Sequence, residues 1–136
     1  MLKPKRRFVI PALVLAVTFA LFRFVLFIGY VPTESMEPTL KKGSVIIGSR
    51  LLGELEVGDI IVFWHEGKLL VKRIAAVSGD TVWHWGKKLT VPERCFYVLG
   101  DNAENSYDSR LWLKPFIGYS AIISRSFPGP ATGLCN

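Results

Sequence analysis

The chain has 136 residues, 50% apolar and 21% charged, with mean hydropathy above zero, a balance that excludes disordered, collagen-like and disulfide-dense classes. Seventeen Lys and Arg against eleven Asp and Glu give a net charge of +6, but Lys3, Lys5, Arg6, Arg7 and Arg23 all precede residue 31, leaving twelve basic and eleven acidic side chains in the remainder. A nucleic-acid binder needs a basic face that tracks phosphates, and the nearly neutral body offers none.

The basic residues at 3–7 are followed by an uncharged run from Phe8 to Phe22, then Arg23, then a mostly apolar stretch to Tyr30. Residues 8–30 exceed the roughly 20 needed for a helix to cross a bilayer, with Arg23 close enough to the far end to reach an interface. Pro11 falls in the first turns, where it is tolerated. The positive flank predicts 1–7 as a cytoplasmic tail, 8–30 as a single transmembrane anchor in the cell membrane, and 31–136 as the extracytoplasmic portion. A cleavable leader would need small residues after its apolar core. Leu21, Phe22, Phe24 and Val25 are bulky instead, so the anchor is expected to stay attached.

Beyond Tyr30, β-branched and aromatic runs recur between Gly, Pro and Asp clusters without a helical period, which predicts an all-β fold. Candidate strands lie at 24–31, 44–49, 59–64, 68–77, 81–85, 88–91, 96–99 and 120–124. Strands this short and numerous suggest a compact, curled antiparallel sheet or small barrel, and the tail after Phe127 reads as irregular. Trp64, Trp83, Trp85 and Phe96 are assigned to the core, with contact to lipid as the alternative. The two cysteines, Cys95 and Cys135, fall on the exported side, where a disulfide is permitted but not required by their spacing. With two Cys and two separated His, no metal-ligand spacing exists, and no glycine-rich phosphate loop suggests a cofactor.

Polar residues in unusual settings fall in three places. Ser35 lies between Pro32 and Pro38, which keep its backbone extended or turning a few residues beyond the anchor. By itself it reads as a loop serine. In the run 68–77, alternation puts Lys72 on one face with Leu70, Ile74 and Ala76, and Arg73 on the other with Val71 and Ala75. An inward lysine either guards an edge strand, snorkels, or is desolvated. Desolvation would have to remove about 4.6 kcal/mol before Lys72 served as a base at neutral pH. The third place is the dense polar run 100–110 after an apolar strand. Asp108 and Arg110 could pair there, although a solvated turn has the same composition. A Ser-His-Asp triad would need His65 or His84, both set among strand aromatics, whereas a Ser-Lys dyad needs neither.

Pro32-Thr-Glu-Ser-Met-Glu-Pro-Thr-Leu40, Val57-Gly-Asp-Ile-Ile-Val-Phe63, Val71-Lys-Arg-Ile through Gly79-Asp80, and Gly100-Asp-Asn through Ser106-Tyr-Asp-Ser-Arg110 resemble, in order, the successive boxes of type I signal peptidases. The resemblance runs from about residue 23 to 126. It implies a membrane-anchored Ser-Lys endopeptidase that removes signal peptides from exported precursors at the lipid bilayer. In it Ser35 is the nucleophile, Lys72 the general base, Ser35 N–H and the Thr33 hydroxyl the oxyanion hole, Ser106 the residue that orients the lysine amine, and Asp108 and Arg110 a supporting ion pair. Thr33 stands where Ser is more usual, Ala103 where an Arg often follows Gly-Asp-Asn, and only about twenty residues separate the lysine box from the last one, which marks a minimal form. Competing expectations are a pilin-maturing conjugative-transfer peptidase of the same superfamily and a membrane-tethered β-domain that binds without cutting. Soluble Ser-Lys autoproteolytic repressors share the dyad but carry a DNA-binding domain that this sequence lacks.

Overall fold

The computed structural model describes residues 4–127. Helix α1 (Pro4–Ala20) runs into a π-helical turn, Leu21–Val25, in which Leu26 N–H reaches back to Leu21 O. The helical stretch Lys5–Val25 has 21 residues and none of its apolar span is buried among the described residues, and its length of about 31 Å matches the apolar thickness of a bilayer. The apolar run 8–30 therefore divides. Its last five residues form strand β1 (Leu26–Tyr30), paired along its whole length with β2 (Val45–Ser49). Arg50 fixes the junction: its N–H donates to Val25 O at 2.7 Å, its Nε donates to Leu26 O at 3.0 Å, and its guanidinium covers the Phe27 ring. These bonds satisfy carbonyls that a helix end otherwise leaves unpaired.

The remaining strands are β3 (Ile60–His65), β4 (Lys68–Val77), β5 (Thr81–His84), β6 (Lys87–Thr90), β7 (Cys95–Leu99), β8 (Phe116–Gly118) and β9 (Ile122–Ser126). Seven form an antiparallel sheet in the order β1-β2-β9-β3-β4-β7-β8, and β5 with β6 makes a separate hairpin. The fold is all-β after one apolar helix. The sheet stays open, with β1 and β8 at its two edges, so the barrel alternative does not form. All eight expected strands are present within a few residues. The ninth, β8, escaped notice because three residues ending in glycine carry too little periodicity to register.

Alternation along the strands buries both faces. Ile61 and Phe63 join Ile74, Val98, Ile117 and Trp112 in one cluster, whereas Val62 packs with Phe27, Val31 and Ile46 on the other side. The β2–β9 seam is short, two residue pairs, and close. A Cβ on Gly48 would stand 2.5 Å from Arg125 O, so only glycine fits there.

The aromatic group assigned to the core divides as well. Phe96 is buried, but Trp64, Trp83 and Trp85 are 53%, 70% and 60% exposed. In β5 the inward positions fall to Val82 and His84, so the same alternation turns Trp83 outward. The tryptophan of the core is Trp112, in the irregular stretch after the last polar box. Cys135 lies outside the described residues, and with it the question of a disulfide.

Candidate active site

Ser35 belongs to the connection between β1 and β2, and the chain there is pinned on both sides. Val31 exchanges backbone bonds with Ser44 and Gly43, and the Met36 side chain is fully buried. Asn102 N–H donates to Ser35 O at 2.9 Å, and Asn102 Nδ2 donates to Glu34 O at 3.1 Å. Gly100 makes this approach possible. A Cβ there would lie 2.5 Å from Ser35 O and in collision with Ser106 Oγ. Lys72 arrives from the middle of β4, directly opposite Ile61 of β3, on the inward face that alternation assigns to it.

Both side chains are buried, Ser35 at 6% and Lys72 at 3% exposure, and Lys72 Nζ is 2.6 Å from Ser35 Oγ. As an ammonium the amine donates in this contact. As a free amine it accepts the serine proton, the arrangement a general base requires. Burial pulls the lysine pKa below its ordinary value; Asp108 acts to raise it and Arg110 to lower it. Loss of hydration is the dominant influence, as for any cation taken out of water. Thr33 Oγ1 stands 3.2 Å from Ser35 Oγ on the solvent-exposed side, a hydroxyl next to the place where a reacting carbonyl would enter.

Behind Lys72 lies a second layer built on Asp108, whose side chain is fully buried. Its Oδ2 accepts from Gly100 N–H (2.9 Å), Ser106 Oγ (2.8 Å) and Arg110 Nη2 (2.8 Å), and its Oδ1 accepts from Arg110 Nε (2.9 Å). Burial pushes the carboxyl upward, but the bonds from Arg110, Gly100 and Ser106 outweigh it and hold Asp108 below the usual carboxylate range. The expected ion pair is present as a bidentate one. The Ser106 hydroxyl donates to Asp108 Oδ2 and so belongs to the same layer behind Lys72.

Sequence reasoning missed one further element. Arg73, on the outward face of β4, makes a bidentate pair with Asp101, Nε to Oδ1 at 2.9 Å and Nη2 to Oδ2 at 2.7 Å. Lys72 and Arg73 thus use opposite faces of one strand, one to meet Ser35 and the other to hold the Gly100–Asn102 turn that carries Ser35 O. Adjacent basic residues on a strand, followed by Gly-Asp after the next apolar strand, were the available signal. His65 and His84 take no part. His65 stacks on Trp112 at 3.8 Å and His84 on Trp85 at 4.6 Å, and neither has a hydrogen bond to Ser35 among the described residues.

The family model for signal peptidase, peptidase S26, matches residues 5–91 and 83–128, which takes in every residue of this arrangement. The chain belongs to the S26 signal peptidase family. Among its relatives are probable signal peptidase I-2 of Synechocystis sp., 31% identical over 77% of this chain and 65% of the relative, and signal peptidase I S of Bacillus subtilis, 32% identical over 73% of this chain and 75% of the relative. Mitochondrial inner membrane protease subunit 1 of Schizosaccharomyces pombe is 30% identical over 71% of this chain and 70% of the relative. The match thus spans just under two thirds of the longer Synechocystis protein.

Proposed function

We propose that the chain is a membrane-anchored serine endopeptidase that cuts N-terminal signal peptides from exported precursors, with Ser35 as nucleophile and Lys72 as general base. The observation that carries this reading is the buried 2.6 Å contact between Lys72 Nζ and Ser35 Oγ, made by a lysine whose pKa burial depresses. Its place in the S26 family and the signal peptidase I names of its relatives support the substrate class. The basic residues at 3–7 support an N-terminus in the cytoplasm, helix 5–25 in the membrane and the β-domain on the far side.

In the reaction, neutral Lys72 takes the Ser35 proton as Oγ adds to the scissile carbonyl carbon. The oxygen of that carbonyl becomes an oxyanion held by Ser35 N–H and Thr33 Oγ1. The lysine ammonium then returns its proton to the leaving amine as the peptide bond breaks. Water, deprotonated by the same amine, hydrolyses the acyl-serine ester and restores the hydroxyl. Asp108, Arg110 and Ser106 act as positioning residues, since none of them meets the reacting atoms.

The test uses the full chain in lipid vesicles with one precursor carrying a signal peptide, beside a copy whose small residues at the cleavage site are replaced by bulky ones. The first should be cut once, at the end of its signal peptide. The second should stay whole, and Ser35→Ala should leave both whole. An uncut first precursor, or cutting by Ser35→Ala, would overturn the proposal. With the chain inserted in inverted membrane vesicles, added protease should remove the basic tail and spare the β-domain. Digestion of the β-domain would reverse the orientation.

A further inference from the structure

The β5–β6 hairpin ends in the turn Trp85-Gly86, where both residues have positive φ, 49° and 77°. Glycine adopts this conformation freely. A tryptophan in it is strained, and Asn or Asp is the usual choice at that place in a two-residue hairpin turn. Trp85 is also 60% exposed, so burial does not compensate. What Trp85 does contribute is a long-range hydrogen bond: its indole Nε1 donates to Arg110 O at 3.0 Å, while its ring stacks on buried His84. Arg110 is the residue that clamps Asp108 from the side chain and also donates to Ala103 O at 3.3 Å.

We infer that Trp85 is a positioning residue for the proposed dyad: by holding the main chain of Arg110, the hairpin keeps the Asp108–Arg110 pair in register behind Lys72. The inference rests on the Ser35–Lys72 reading and extends it to an element outside the polar boxes.

The consequence reaches Lys72 through charge. The two charged groups that bear on it are Asp108, which favours its ammonium form, and Arg110, which opposes it. On the other elements packed around it, Ile61 is apolar, Glu34 is exposed, Asp101 is engaged by Arg73 on the outward face of β4, and Tyr97 is neutral, its hydroxyl pushed up by burial. Releasing Arg110 weakens its repulsion and leaves Asp108 less compensated. Both changes favour the protonated lysine, so the acid limb of the rate profile should move to higher pH.

Trp85→Phe keeps the stack on His84 and removes only the N–H donor. Trp85→Asn removes the donor and also relieves the strained turn. Each should lower kcat about tenfold with KM nearly unchanged, as small misplacements of catalytic groups do, and each should shift the acid limb upward. Trp85→Asn should melt no lower than Trp85→Phe. A wild-type rate and pH profile in Trp85→Phe, while Lys72→Arg is dead, would overturn this role and leave the dyad standing. Cleavage by Lys72→Arg would overturn the dyad itself. Loss of the folded state in both Trp85 variants, read by thermal melting, would also overturn the inference, because the hairpin contact would then be a structural support only.

Discussion

Lys72→Arg should abolish signal-peptide cleavage, a loss of at least about 10³-fold, even though it keeps a positive charge at the same place in β4. A guanidinium stays protonated at any pH the protein withstands, so it cannot accept the Ser35 proton. Lys72→Met should be equally inactive and yet at least as stable at neutral pH. The sign follows from linkage. A group whose folded pKa is depressed contributes full stability only above its unfolded pKa and loses it as pH falls through the folded value. Burial depresses the pKa of Lys72, so at pH 7 the folded state bears a cost from this side chain that methionine does not impose. Thermal melting of the two proteins between pH 7 and 10 checks this: the advantage of Lys72→Met should shrink as pH rises. Measurable turnover in Lys72→Arg, or a marked fall in the melting temperature of Lys72→Met at pH 7, would contradict the description of Lys72 as a desolvated base.

Thr33→Val should lower kcat by about 10²–10³, the usual cost of removing one oxyanion donor. Valine keeps the β-branched shape and loses only the hydroxyl that now lies 3.2 Å from Ser35 Oγ. The bond to substrate strengthens as charge develops on the carbonyl oxygen, so KM should hardly change. Thr33→Ser restores the donor and should recover most of the rate. Normal turnover in Thr33→Val, or a rise in KM with kcat preserved, would make Thr33 a residue that shapes the backbone of the serine turn and nothing more.

Much of this arrangement could be read along the chain because it depends on local rules. Alternation over 68–77 is enough to send Lys72 inward and Arg73 outward, and the structure keeps that division as far as Ile74, where a bulge shifts the register against β7. Two prolines around Ser35 predict extended or turning backbone, and a turn forms. Long-range features were less accessible. The pair between Asp101 and Arg73 spans 28 residues, and the adjacent basic residues and the Gly-Asp turn that hint at it do not by themselves say which two meet. The choice of Trp112 over Trp83 and Trp85 for the core depends on which loop covers the sheet, and among the described residues the other two stand exposed on their hairpin. The end of the apolar helix was blurred for a related reason: Leu26–Tyr30 is as apolar as the helix before it, and only pairing with β2 decides that it is a strand.

The position of β9 bears on the order in which the sheet can be completed. It is the strand furthest along the chain among the described residues, yet it lies inside the sheet, between β2 and β3. Within the sheet, the strands that flank Ser35 and the strand that bears Lys72 are therefore joined through a strand made after both of them. Without that strand the two parts of the sheet are held by the Asn102 bonds to Ser35 O and Glu34 O and by the packing of Val62 against Phe27, Val31 and Ile46, and contacts between such distant parts form late in any case. The last strand to be made is thus the one that closes the backbone connection between the strands around Ser35 and the strand that bears Lys72.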